Sequence, residues 1–297
     1  MKFLVYGVNG WIGSKVFKLL NDLNDVDVVE GNCRVDNVAE LEKEIISVAP
    51  THVISLIGRT HGTHNGTTYG TIDYLEQPGK LVENVRDNLF SPMVLSLMAT
   101  KHKFHFTYLG TGCIFEYDND HPFGEEVNGF TEKSRPNFFG SSYSIVKGFT
   151  DQLMHLCEER VLNIRIRMPI TDEFNGRNFI TKISTYKKVC SIANSMTVLN
   201  ELLPLMIDMA KNNVTGTVDL TNPGLITHNE ILEMYREIVN PEFTWENFTI
   251  DEQAEILASG RSNNFLETTR LEVLYPSVKN IKESVREMLV LMSKRQS

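Results

Sequence analysis

Gly7, Gly10 and Gly13 stand directly behind the apolar run Lys2-Phe3-Leu4-Val5-Tyr6 and directly ahead of an amphipathic segment. This GxxGxxG spacing constrains the chain more than any other feature. A tight turn between a buried strand and a helix needs glycine for its backbone angles, and the bared N–H groups then face an anion at the helix N-terminus. With 19 glycines in the chain such a spacing arises by chance, and the alternative is a bare tight turn. Its place after a first strand and before a helix favours a cofactor pyrophosphate site. The pattern around it agrees. Strand-like runs at 2–6, 26–30, 52–57, 104–109 and 162–168 alternate with helical periodicity at 11–22, 37–48, 80–101 and 141–160. Such alternation predicts an α/β fold, a doubly wound parallel sheet of the Rossmann type with right-handed crossovers.

The second half is less regular. Residues 199–212 read as a helix, 216–220 as a strand and 227–239 as a helix opened by Thr227 with Glu230 at capping-box distance. We expect a dinucleotide-binding domain over 1–168, with elements near 198–220 returning to the sheet, and a smaller C-terminal substrate lobe over 169–297. The Gly- and Thr-rich stretch 58–71 reads as a mobile loop near the site.

A net charge of −9 opposes binding to nucleic acid or to an anionic membrane. Cys33, Cys113, Cys157 and Cys190 form no CxxC pair, which favours reduced thiols and a cytoplasmic location. The first apolar run is too short for a signal-peptide core, and no run approaches the length of a membrane span. No metal-ligand pattern stands out.

Ligands of such sheets bind beyond the carboxyl ends of the strands. The residues found there are Gly7, Gly58, Thr111 with Cys113, and Arg177 with Lys182. Arg34, after the second strand, favours the 2′-phosphate of NADPH, while Glu30 leaves NADH open. Tyr143 and Lys147 are four apart and share a helix face. A ketone is reduced when hydride reaches its carbon and a proton its oxygen. A tyrosine is a poor participant at its ordinary pKa of about 10. A neighbouring ammonium favours the phenolate, and the Thr111 hydroxyl can share the carbonyl oxygen. A second YxxxK, Tyr275 to Lys279, shows that chance makes this motif, but Pro276 interrupts any helix there.

Cys113 taken alone reads as a small buried apolar residue, and Lys182 as a solvated helix face. Both follow strands at the mouth of the expected site. A thiol and an ammonium flanking one sugar could remove and return protons beside a ketone.

The residues then show a family likeness. Tyr6-Gly7 with Gly10-Trp11-Ile12-Gly13, the run from Thr111 to Asp118, Arg167-Met168-Pro169-Ile170, the run from Arg177 to Lys182, Asn222-Pro223-Gly224, the run from His228 to Arg236, and Arg261-Ser262-Asn263-Asn264 resemble the nucleotide-rhamnose synthase/epimerase-reductase family. These are extended short-chain dehydrogenases, and the likeness covers nearly the whole chain. It implies a bifunctional enzyme that inverts carbons 3 and 5 of a UDP- or dTDP-linked 4-keto-6-deoxy-D-glucose and then reduces carbon 4 with NADPH, giving a nucleotide-linked L-rhamnose. It implies Cys113 and Lys182 as the epimerase acid/base pair, and Thr111, Tyr143 and Lys147 as the reductase triad. It places Trp11, Ile12 and Gly58 near the cofactor, and Arg177, Asn178, Arg261 and Asn263 near the sugar nucleotide. A separate 4,6-dehydratase would supply the substrate, and a homodimer is expected. Two alternatives stand beside this reading. One is a 4-reductase without epimerase activity, like dTDP-4-dehydrorhamnose reductase or GDP-fucose synthase. The other is a non-catalytic nucleotide-sensing subunit.

Overall fold

The computed structural model describes residues 1–296. The chain divides into two compact units. The first holds Met1–Ile114, Ser141–Arg165 and Leu203–Val218. The second holds Phe115–Gly140, Ile166–Leu202 and the described residues from Asp219 onward.

The first unit opens with β1 (Lys2–Tyr6), α1 (Trp11–Asn21), β2 (Asp27–Glu30), α2 (Val38–Val48) and β3 (His52–Ser55). A six-stranded sheet forms in the order Gly216–Asp219, Val161–Ile166, His105–Thr111, β3, β1, β2. Phe3 lies opposite His52 and Val28 in parallel register, and β3 pairs in parallel with the strand His105–Thr111. Phe3, Leu4, Val53 and Ile54 are wholly buried, as strands covered on both faces require. The returning strand expected near 216 does join this sheet.

β1 has β2 on one side and β3 on the other, so the sheet changes direction of growth at β1. That switch opens the crevice ligands use. Gly7 turns there with φ +84°, and a Cβ on it would lie 2.9 Å from the Leu56 carbonyl carbon. A Cβ on Gly13 would lie 2.0 Å from the Gly7 oxygen. Both glycines are therefore required by close approach.

Residues 58–71 do not form the expected mobile loop. They build a hairpin of β4 (Gly62–His64) and β5 (Thr67–Tyr69), with Gly62 opposite Tyr69. Asn65 and Gly66 sit at φ 48° and 79°, and positive φ at both turn positions matches the twist of the flanking strands. The helix expected over 80–101 is also interrupted. α3 (Leu81–Val85) passes through a π segment (Arg86–Phe90) into α4 (Ser91–His102). Pro92 has no N–H to offer the carbonyl four residues back, and the Thr150 hydroxyl takes that Asn88 oxygen at 2.6 Å instead.

β6 (His105–Thr111) precedes α5 (Ser142–Met154), and β7 (Val161–Ile166) follows it. α5 starts where Ser141 accepts the Ser144 N–H at 3.0 Å, and it ends in a short 3₁₀ turn rather than running to residue 160.

In the second unit the expected capping box is present. The Thr227 hydroxyl accepts the Glu230 N–H at 3.1 Å and the Glu230 carboxylate accepts the Thr227 N–H at 2.8 Å, opening the helix His228–Ile238. Its core gathers Ile180, Met196, Ile226, Ile231, Val285 and Leu289. The helix Ile281–Gln296 was not foreseen, although Ile281, Val285, Met288, Leu289 and Met292 carry its apolar period. Among the described residues no helix is long and apolar enough to cross a membrane.

Candidate active site

The first unit brings Thr111, Cys113, Tyr143 and Lys147 together. Thr111 ends β6, and its hydroxyl accepts the Cys113 N–H at 3.1 Å. The same side chain hydrogen-bonds Tyr143. Ser144, next to Tyr143 on α5, donates its hydroxyl to the Cys113 carbonyl at 2.7 Å. The turn after β6 is thus tied to the helix at two points. Ser144 was not singled out from the sequence, and only the fold reveals it.

Tyr143 and Lys147 share one face of α5, both at least nine-tenths buried. The Lys147 ammonium donates to the Tyr108 hydroxyl at 2.5 Å and to the Leu109 carbonyl at 3.4 Å, and it sits 4.6 Å from the centre of the Tyr108 ring. Burial pushes Lys147 down to about 7, against the opposing charges of Asp151 and Cys113. Burial also pushes the Tyr143 phenol above its ordinary value, the neighbouring Cys113 adds to this, and the Thr111 bond opposes it. Lys147 is not among the groups that move the phenol, and burial is the largest influence on it.

One turn beyond Lys147 lies Asp151, also missed in the sequence. Burial alone would raise its carboxyl, but the Arg165 guanidinium overrides this and holds it far below the usual range. The pair is bidentate, 2.8 Å at both bonds, and Asn163 donates a third at 2.8 Å. Asn88, in the π segment, fixes the turn after β3. Its Oδ1 accepts the Arg59 N–H at 3.0 Å, and its Nδ2 donates to the Arg59 carbonyl at 2.9 Å. Gly58 lies against it, since a Cβ there would come within 3.3 Å of Asn88 Oδ1.

The glycine turn fits a dinucleotide. α1 starts at Gly10 with no side-chain cap and no acid in its first turn, so its N–H groups suit an anion. Trp11 Nε1 is buried without a hydrogen-bond partner. Ile12 follows in the first turn, and Gly31 lets the chain after β2 lie flat on Tyr6, where a Cβ would come within 2.3 Å of the ring. Beyond it Arg34, Asp36, Asn37 and Glu40 line a 630 Å³ cavity, in which Arg34 Nε pairs with Asp36 at 2.9 Å.

The remaining candidates belong to the second unit. Lys182 lies on the short helix Phe179–Ile183, half-buried, and Arg177 is exposed just before it. Asn178, expected at the substrate, is wholly buried and serves as the helix cap. Its Oδ1 accepts from Ile180 and Thr171, and its Nδ2 donates to the Thr171 and Glu173 carbonyls at 2.9 and 2.7 Å. Arg261 folds onto its own loop, with Nη1 2.6 Å from the Ser259 hydroxyl, and Asn263 accepts from Asn194 at 2.9 Å. Arg167 organises this loop from beneath, donating to the Ser262 hydroxyl at 2.9 Å and carbonyl at 3.0 Å. Among the described residues no group of three His, Cys, Asp or Glu side chains could hold a metal ion.

No family model matches the chain. It is 53% identical over 296 residues to an uncharacterized protein, L780, of Acanthamoeba polyphaga mimivirus, covering 100% of both. It is 43% identical over 284 residues to a bifunctional dTDP-4-dehydrorhamnose 3,5-epimerase/dTDP-4-dehydrorhamnose reductase of Arabidopsis thaliana, covering 95% of this chain and 90% of that protein. A trifunctional UDP-glucose 4,6-dehydratase/epimerase/reductase of the same plant is 43% identical over 286 residues, and the chain spans 41% of its length. Among solved structures, the L780 UDP-rhamnose synthase of the mimivirus matches with a TM-score of 0.93 at 53% identity, over 98% of this chain and 99% of that one. A dTDP-4-dehydrorhamnose reductase of Clostridium acetobutylicum matches at 0.78 with 18% identity, covering 98% and 99%, which shows the shared fold.

Proposed function

Because the chain belongs to the nucleotide-rhamnose epimerase/reductase family, we propose that it converts a UDP- or dTDP-linked 4-keto-6-deoxy-D-glucose to the nucleotide-linked L-rhamnose. The observation that carries this reading is that bonds from one helix to one strand end hold Thr111, Cys113 and Tyr143 together, with Lys147 bonded to Tyr108 and Leu109 of the same strand.

The ketone oxygen at carbon 4 rests on the Tyr143 phenol and the Thr111 hydroxyl. Carbons 3 and 5 adjoin that carbonyl, so one polarised group acidifies both C–H bonds. Cys113 serves as acid/base at these carbons, and we assign Lys182 the complementary proton on the family likeness. The proton leaves carbon, the electron pair moves onto the carbonyl oxygen, and the two hydroxyls stabilise the enolate. A proton returns to the opposite face, inverting the centre. Bound NADPH supplies the hydride for carbon 4. Tyr143 then gives its proton to the oxygen, which completes the alcohol. Lys147 is assigned to hold the cofactor ribose. Reduction removes the ketone and so ends epimerisation.

Gly7, Gly10, Trp11, Ile12, Gly13, Gly58 and Arg34 are assigned to the cofactor, with the Arg34 guanidinium supporting NADPH over NADH. Arg177, Arg261 and Asn263 are assigned to the sugar nucleotide. We assign cofactor binding to residues 1–168, with elements near 198–220, and substrate binding mainly to residues 169–297. The dehydration that creates the ketone is assigned outside these 297 residues. A cytoplasmic homodimer completes the proposal. Val82, Leu97 and Phe149, exposed on helices of the first unit, support self-association.

The test pairs two variants in NADPH with the UDP- and dTDP-linked keto sugars. Cys113→Ala abolishes solvent-deuterium entry at carbons 3 and 5. Tyr143→Phe lowers NADPH oxidation by about 10²–10⁴-fold. Deuterium entry that persists without Cys113 removes the epimerase assignment.

A further inference from the structure

On one side Cys113 and Tyr143 adjoin an apolar cluster of the first unit. Tyr74, Leu75 and Tyr143 form a buried cluster, and Tyr69, Ile72 and Cys113 pack against it half-exposed. Ile72 and Tyr69 come from the end of the β4–β5 hairpin and the 3₁₀ turn Ile72–Tyr74 that follows it. This segment is fastened to the catalytic helix. The Glu76 carboxylate accepts the Ser142 N–H at 2.8 Å and the Ser142 hydroxyl at 2.9 Å. The next residue on α5 is Tyr143. The turn is further braced where the Thr71 hydroxyl donates to Asp73 at 2.5 Å and the Tyr74 hydroxyl to Glu83 at 2.8 Å.

Carbon 6 of the sugar is bonded to carbon 5, which adjoins the ketone carbon. Cys113, Ile72 and Tyr69 all pack against the cluster that contains Tyr143, so with the ketone oxygen on Tyr143 and the thiol at the neighbouring C–H bonds a carbon 6 substituent is set beside Ile72 and Tyr69. A methyl group is stabilised by such contacts. A hydroxymethyl group would press a hydroxyl against the Ile72 side chain, which offers it no partner. We propose that Ile72 and Tyr69 form the seat of the carbon 6 methyl group and set the preference for a 6-deoxy sugar over its 6-hydroxy counterpart. This rests on the epimerase/reductase reading and adds a specificity determinant to it.

The test measures kcat/KM of the full chain with NADPH on two nucleotide 4-keto sugars that differ only in carrying a methyl or a hydroxymethyl group at carbon 5. The wild type favours the methyl compound by about 10–100-fold, the range open to an apolar pocket facing an added hydroxyl. Ile72→Thr has the shape of Ile72→Val but carries a hydroxyl, and lowers that ratio by at least about fivefold. Ile72→Val stays within about twofold of the wild type. A structural defect would depress both substrates alike, so an unchanged ratio in Ile72→Thr overturns the proposal, as does a wild type that treats the two sugars equally. A wild type that turns over neither sugar would fail the functional reading itself, and the methyl seat with it.

Discussion

Arg165 and Arg167 are two residues apart, both buried, and set in opposite electrostatic company. Arg165, in the first unit, meets a carboxylate: Asp151 takes both arms of its guanidinium. Arg167, in the second, meets neutral oxygens, those of Asn194 at 2.7 Å and of Ser262. The comparison teaches that burial of a guanidinium serves two ends. Opposite a carboxylate it locks a helix to a sheet, here the helix that presents Tyr143 and Lys147. Among carbonyl and hydroxyl dipoles it gathers a loop, here the one that carries Arg261 and Asn263.

The sharpest way to break this contrast is to remove each guanidinium in turn. Arg165→Met leaves the Asp151 charge buried without its counterion, and we expect a loss of about 3–5 kcal/mol in urea unfolding. Equal costs at the two sites would refute the distinction, because Arg167→Met leaves neutral acceptors unpaired and is expected to cost about 1–3 kcal/mol. That second variant should also weaken sugar-nucleotide binding while NADPH affinity stays unchanged, as a titration of each ligand can show.

A milder test uses pH. His52 is pushed down to about 4, chiefly by burial and then by the charge of His105 nearby. The unfolded chain takes up that proton below about 6.5, whereas the folded one resists it until about 4. Stability is therefore full above that window and falls as pH drops through it, by up to about 1.4 kcal/mol per unit for this group. Asp151 acts in the same direction but lower on the scale, its depressed carboxyl giving up its contribution only as pH falls below the ordinary carboxylate range, and His228, also pushed down to about 4 by burial, shares the higher window with His52. His52→Gln should flatten the pH dependence of the urea midpoint there. A slope unaltered by the substitution would assign it elsewhere.

Much of this was legible in the chain. The strands and helices of the first half follow local periodicity, which needs no distant partner, and Tyr143 with Lys147 could be set on one helix face by spacing alone. The hairpin was hidden by its Gly and Thr content, although Asn65-Gly66 between short β-prone runs already carried the turn. The π segment was not readable, because it depends on Pro92 freeing a carbonyl that Thr150, far along the chain, then takes. Asp151 stood at the helical spacing from Lys147, but its meaning lies in Arg165 and Asn163 on the strand beside it. Asn178 looked like a ligand contact in its motif, and only its four saturated bonds reveal a cap.

The stripe of α5 has one more consequence. Tyr143, Lys147 and Asp151 follow each other at steps of four, from the reacting end of the helix to its anchored end. Each residue of an α-helix advances the face by about 100°. Drift in residue type is cheaper on the outer side, at exposed Ile145. A gain or loss of even one residue between 143 and 151 would instead swing the anchor out of line with the proton donor. Length, more than identity, is what descendants of this chain must inherit in that stretch.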